Sequence, residues 1–213
     1  NSGNIPSYNN GIIDFNLTNY YLKYDFVIPF NKLDFTINTG GKYNSIKVNN
    51  FGQYNINSST NTIFDSNNYA ESIDFNYNES NLAFYVEVRK KIKKFNFTVG
   101  LRLEDFDVKR EASTIADKIE YRNTNLFPNI SALYEISPQV NFSSSYSRKI
   151  AQPNYNTIDP NNSSNFNQYN TSTGNLALQP VFYDNFEVKL TALQFVQLGT
   201  NYTIAKDDNR FIF

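Results

Sequence analysis

The sequence predicts an all-β fold, a wall of a transmembrane antiparallel β-barrel. Three observations carry this. Long alternating runs flank very short turns. Long polar connections separate the resulting hairpins in regular succession. The composition joins 35 Asn to 16 Tyr and 19 Phe, with only 8 Gly and 7 Pro. That mixture suits a structure with one wet and one apolar side better than a compact core.

The clearest hairpin is Leu82–Leu103. Leu82, Phe84, Val86 and Val88 share one face going in. Phe95, Phe97, Val99, Leu101 and Leu103 share one face coming out. Successive side chains of a strand point to opposite faces. These runs approach ten residues, the length at which a tilted strand crosses a bilayer.

The other hairpins repeat the pattern. Tyr20, Leu22, Tyr24, Phe26 and Ile28 share a face before the first turn, and Leu33, Phe35 and Ile37 after it. Ile130, Ala132, Tyr134 and Ile136 precede the third turn, and Val140, Phe142, Ser144 and Tyr146 follow it. Phe182, Phe186, Val188 and Leu190 precede the fourth, and Val196, Leu198, Thr200, Tyr202 and Ile204 follow it. The turns are expected near 29–32, 90–94, 137–139 and 192–194, and the long loops near 49–72, 109–123 and 151–179. Short turns on the periplasmic side and long loops outside are the asymmetry of an outer-membrane barrel. Eight strands result, with residues 1–17 less regular. A further strand is expected to start at Arg210–Phe213, so the segment reads as eight or nine strands of a larger barrel.

Aromatic residues recur near strand ends, as at Tyr20, Tyr21, Phe30, Phe84, Tyr134, Tyr146 and Tyr202. They suit interfacial girdles, although aromatics are also good strand formers.

Several functions lose support. The net charge of −1 gives no electrostatic footprint for nucleic acid. The absence of Cys and His removes thiolate sites, the commonest general base and the commonest metal ligand. No apolar stretch is long enough for a transmembrane helix. No phosphate loop or nucleophile elbow is present. Neither an enzyme, a cofactor nor a metal site is expected. Glu104, Asp105 and Asp107 cluster, as do Asp207 and Asp208, but such spacing reads first as a solvated loop mouth.

Alternation places Glu87, Arg89, Arg102, Glu104, Glu187 and Lys189 opposite the apolar faces. A charge facing lipid at mid-bilayer costs about 2–4 kcal/mol for Arg or Lys. These six residues are therefore expected to line the lumen. There they could touch a plug or a passing substrate, or pair with one another across strands.

Asn81–Glu104, NLAFYVEVRKKIKKFNFTVGLRLE, resembles the aromatic-strand, basic-turn, G-L-R-x-E hairpin of Bacteroidetes-type TonB-dependent receptor barrels. Leu126–Ile150, LFPNISALYEISPQVNFSSSYSRKI, resembles the next hairpin of that family. AQPNYNTIDP at 151–160 is similar to its R-P-s-y-x-x-L-n-P, and TSTGNLALQPVFYDNFE at 171–187 to its GNP-x-L-x-P-e motif. Gln152, Leu176 and Val181 stand where the family has Arg, Pro and Glu. The resemblance implies a barrel of roughly 22 strands around a plug, energised through TonB for nutrient uptake across the bacterial outer membrane. Plug and TonB box would lie outside this segment. Partners would be outer-membrane lipid, the plug, TonB and a surface lipoprotein or other outer-membrane subunits. Specificity would sit in loops such as 49–72 and 151–179. An accessory barrel subunit without transport activity, or a soluble β-rich binding module, would fit the same alternation.

Overall fold

The computed structural model describes residues 10–57, 68–116, 118–161, 164–167, 170–172, 174–193 and 195–206. Asp207–Asp208 and Arg210–Phe213 lie outside them. Eight strands form one antiparallel sheet in the order β1-β2-β3-β4-β5-β6-β9-β10. They are β1 (Asn10–Phe30), β2 (Phe35–Asn57), β3 (Asn68–Ile92), β4 (Phe95–Ala112), β5 (Ile119–Ser137), β6 (Val140–Ala151), β9 (Val181–Ala192) and β10 (Val196–Lys206). Between β6 and β9 lie a one-turn helix α1 (Tyr155–Ile158) and the short strands β7 (Ser164–Asn167) and β8 (Asn170–Ser172), which pair with each other. Among the described residues β1 and β10 are the two edges and do not pair, so the sheet is a wall and not a closed ring. Among the described residues no helix is long and apolar enough to cross a membrane.

Four short turns join consecutive strands of the wall. The first is Asn31–Asp34, beginning as a 3₁₀ turn at Asn31–Leu33. The second shrinks to Lys93–Lys94, because Lys90 and Lys91 stay paired with Phe97 and Asn96. Asp34, Lys93 and Leu193 take positive φ in three of these turns.

The expected long loops are corrected more substantially. β2 runs on to Asn57, β3 starts at Asn68, β4 ends at Ala112 and β5 starts at Ile119. Much of 49–72 and 109–123 is therefore strand. The reason is a change of phase. In β4 the exposed apolar residues are odd-numbered up to Leu103, but Phe106 and Val108, both buried, are even-numbered. One strand thus carries apolar side chains on its outer face below and on its inner face above. A period-two reading that holds one phase sees the slip as a strand end.

The register makes this inversion continuous across the sheet. Leu22, Tyr43, Leu82, Asp105 and Thr124 form one outer row, and Tyr20, Ser45, Ser80, Asp107 and Arg122 the next. On the turn side of these rows the outer face carries Phe26, Val86, Leu101, Phe84, Leu103 and Leu126, all exposed. On the loop side it carries Lys47, Asn78, Lys109 and Glu120. From Phe95 to Leu103 the apolar run covers about 27 Å of strand at ~3.4 Å per residue. A tilt of ~40° brings this to about 21 Å, close to the ~25 Å apolar band of outer-membrane barrels. The lower half of the wall carries an apolar belt on its outer face. In the upper half the outer face is polar and the apolar side is turned inward.

Gly40 and Gly41 admit two rings at the belt. A Cβ on Gly40 would lie 2.3 Å from the Tyr24 carbonyl oxygen and 2.8 Å from the Tyr85 ring, whose hydroxyl donates to Asp25 on the inner face. A Cβ on Gly41 would meet the Tyr24 ring at 2.7 Å on the outer face. Gly100 leaves 3.5 Å to Glu87. Gly40→Ala is therefore expected to destabilise the wall by about 1–3 kcal/mol, and Gly100→Ala to be nearly neutral. Denaturant titration in detergent checks both.

Candidate functional site: the inner wall and its docked loop

At belt level the inner face is polar. Glu87, Arg89, Arg102, Glu104, Glu187 and Lys189 all lie on it, opposite the lipid-facing rows. They form three ion pairs, Arg89–Glu87 at 2.7 Å, Arg102–Glu104 at 3.3 Å and Lys189–Glu187 at 3.9 Å. Each pair joins residues two apart on one strand, not partners across strands. The register explains this correction. Directly opposite Arg89, Glu87, Arg102 and Glu104 between β3 and β4 stand Thr98, Gly100, Tyr85 and Ala83. Opposite Glu187 and Lys189 on β6 stand Ser145 and Ser143. No opposite charge is available there, so the long Arg and Lys stems reach along their own strand. The Asn38 amide nitrogen donates to Glu87 across strands at 3.1 Å, and the Arg102 guanidinium lies 5.0 Å from the Phe127 ring centre. Glu104 is buried and the other five are not. The structure does not gather the six into one cluster, because Glu187 and Lys189 lie three strands away from β4.

The acidic cluster is divided by the same alternation. Glu104 faces in, whereas Asp105 faces out and accepts from Thr124 Oγ1 at 2.8 Å and Arg122 at 3.2 Å. Among the described residues no group of carboxylates is placed to hold a metal ion.

Above the belt the inner wall meets the connection between β6 and β9, expected from sequence as an outward polar loop. It folds inward instead. Ile158 of α1 and Leu176 pack on Val48, Phe75, Tyr77, Phe106, Val108 and Ala112, and together these form a buried hydrophobic cluster. The Asn154 side chain caps α1, accepting from the Asn156 backbone at 3.0 Å. Leu176, where the resemblance expects Pro, is a core residue, and Val181, where it expects Glu, is buried as well.

Polar contacts fix the loop at two points. Arg110, only 2% exposed, donates from Nη1 to the carbonyls of Leu176 at 2.8 Å and Leu178 at 2.6 Å. Asp159 accepts from Asn50 Nδ2 at 2.5 Å and from the Asn161 backbone at 2.9 Å. Asn161 Nδ2 donates to the carbonyls of Asn50 and Ile73. Asn175 N donates to Thr157 O at 3.0 Å and ties the two halves of the loop together. Gly174 is required by close approach, since a Cβ there would lie 2.2 Å from the Asp159 carbonyl oxygen.

Burial raises the Asp159 carboxyl above its ordinary value, against the opposing hydrogen bonds from Asn50 and Asn161. The buried Asn50 Oδ1 has no partner among the described residues, while both Asp159 oxygens accept from N–H donors. An acid with a raised pKa binds its proton more tightly when docked. Docking is therefore strongest below about pH 4, the ordinary Asp value, and weakens as pH rises through the raised one. Asp159→Asn removes the titrating group and is expected to abolish this dependence, which proteolysis of the loop measured across pH checks.

Of these residues only Leu176 and Val181 stand out in the sequence, as departures from the motif; Asn50, Arg110, Asp159 and Asn161 do not. The available signal was the phase slip, which occurs between Leu17 and Tyr20, Tyr77 and Leu82, Leu103 and Phe106, and Tyr121 and Leu126.

A wall with a lipid belt outside, charges inside and an inward-folded loop defines a class of fold. A sequence profile of the outer membrane protein beta-barrel family matches residues 1–213. The chain belongs to that family. Its place is the bacterial outer membrane. Comparison with curated proteins gives no match. Among solved structures, this family member is similar to the siderophore receptor PiuA from Acinetobacter baumannii, with TM-score 0.58 and 13% identity over 91% of this chain and 32% of that one. It is also similar to the ferric-catecholate import receptor Fiu from E. coli K12, with TM-score 0.56 and 12% identity over 91% and 31%. A third is the unliganded ferric citrate transporter FecA, with TM-score 0.51 and 10% identity over 92% and 32%. At such identities the likeness is one of fold. The family member spans about a third of the length of each.

Proposed function

We propose that this wall belongs to a TonB-dependent uptake receptor of the Bacteroidetes type. In that reading the inner face contacts the plug at belt level and the docked loop shapes the substrate entrance. The observation that carries it is the inward-folded β6–β9 connection. It sets Tyr155, Ile158 and Leu176 against the inner wall above the belt, where a substrate entering from outside would meet them. The motif resemblance around Gly100–Glu104 and Gly174–Val181 supports the same assignment, as does the fold shared with solved receptors and transporters. Glu87, Arg89, Arg102, Glu104, Glu187 and Lys189 are the candidates for plug or substrate contact, each already compensated by a neighbour and so able to face water or protein.

Uptake by cells carrying the complete gene tests the proposal. Deletion of the gene should abolish growth on one scarce nutrient, and loss of TonB should have the same effect as deletion. Unchanged growth on every nutrient tried, together with stoichiometric co-purification of other outer-membrane subunits, would favour an accessory barrel instead.

A further inference from the structure

The short-turn end carries a charge asymmetry that the receptor reading does not use. Arg89, Lys90, Lys91, Lys93 and Lys94 crowd the β3–β4 turn, and Lys32 sits in the adjacent β1–β2 turn. The carboxylates at this level are Asp34, Glu87 and Glu135. Glu87 is engaged by Arg89 and Glu135 by Lys91 at 2.9 Å. Lys94 Nζ donates to the Ile136 carbonyl. Lys32, Lys90 and Lys93 are exposed and form no ion pair with a described carboxylate. The β5–β6 and β9–β10 turns, Pro138–Gln139 and Leu193–Phe195, carry no charge. The cations therefore make a local patch, not a ring.

Position determines what this patch meets. Lys90 lies on the outer face, directly opposite Phe35 on one side and Phe97 on the other. Stacked aromatics flank Lys90 at the turn end of the belt, Phe30 on Phe35 at 4.5 Å between ring centres in its own row and Phe95 on Tyr134 at 4.6 Å in the next. A cleft between the two turns is lined by Phe30, Asp34, Phe35, Lys91 and Lys93. A cation among interfacial aromatics at the short-turn end reaches the headgroup layer of the periplasmic leaflet. That layer offers phosphate above acyl chains, matching ammonium groups above an apolar face.

We propose that the Lys32–Lys90–Lys93 patch binds the headgroup phosphate of an anionic phospholipid of the periplasmic leaflet, with the acyl chains along Phe35 and Phe97. Attraction of a basic residue to an anionic surface changes affinity about five-fold per cation. The test uses the complete protein in nanodiscs of phosphatidylethanolamine with a minor share of phosphatidylglycerol, the retained lipid being read by native mass spectrometry. The wild type should retain phosphatidylglycerol in excess of its share. K32Q/K90Q/K93Q should lower that excess at least five-fold, and K32R/K90R/K93R should restore it. K47Q/K118Q, on the water-exposed half of the outer face, should leave it unchanged. No excess in the wild type, or the same excess in K32Q/K90Q/K93Q, would overturn the proposal. So would displacement of the lipid by inorganic phosphate at equal concentration, which would make the patch a site for free anions.

Discussion

Val99→Arg is expected to destabilise the wall by about 2–4 kcal/mol in a bilayer, the cost of a lipid-facing guanidinium at mid-depth. Val99 is the middle residue of the outer run Phe95–Leu103 and is 54% exposed. Its row continues through Ile37, Val88, Ile130, Tyr146 and Phe186 and holds no acidic residue; the outward Asp184, three strands away on β9, is engaged by Tyr146 at 2.8 Å. Ser145→Arg places the same side chain on the inner face, directly opposite Glu187, and should cost less than about 1 kcal/mol. Unfolding in lipid vesicles by denaturant separates the two. Equal penalties would mean that the two faces see the same solvent.

The second large effect is expected at Arg110. Two charge-assisted hydrogen bonds join it to the carbonyls of Leu176 and Leu178. Each such bond contributes about 1.5–3 kcal/mol, and burying the guanidinium offsets part of that. Arg110→Met should weaken loop docking by about 2–4 kcal/mol while keeping the apolar stem against Tyr77 and Val108. Protease should then cut the β6–β9 connection at least ten-fold faster, and backbone amides around Val108 should exchange sooner. The strand pairings β1–β6 do not depend on the loop, so the main unfolding transition should barely move. Gly174→Val should produce the same protease sensitivity by forcing a side chain into the Asp159 backbone.

The belt half of the wall was legible in the sequence, because lipid imposes an unbroken alternation there. Leu82–Val88 and Phe95–Leu103 gave both the strands and their outward face, and with it the inward face of Glu87, Arg89, Arg102 and Glu104. The upper half was not legible by the same rule. There the outer face meets water and the inner face meets protein, so Phe106 and Val108 change sides relative to Leu103. The Asn- and Ser-rich connection read as solvent-exposed because its apolar residues, Ile158 and Leu176, are few and 18 positions apart. Only the fold brings them together on Phe75, Tyr77 and Val108. Arg110 likewise read as one more charge near a loop mouth, since its partners are backbone carbonyls that no side-chain pattern announces. The three ion pairs among Glu87, Arg89, Arg102, Glu104, Glu187 and Lys189 ran along strands because register, which a single sequence specifies weakly, set uncharged residues opposite those charges.

The wall inverts its polarity at Glu104–Asp105. A cysteine scan along β4 tests it most directly, since the chain contains no cysteine of its own. Single cysteines would be introduced from residue 97 to residue 111 in the complete protein and exposed on intact cells to a membrane-impermeant maleimide. Positions 97, 99, 101 and 103 should stay unlabelled, whereas 105, 107, 109 and 111 should label rapidly. Positions 106 and 108 should resist labelling until Arg110→Met releases the loop. Rapid labelling at 99 and 101, or at 106 and 108 with the loop docked, would contradict the account.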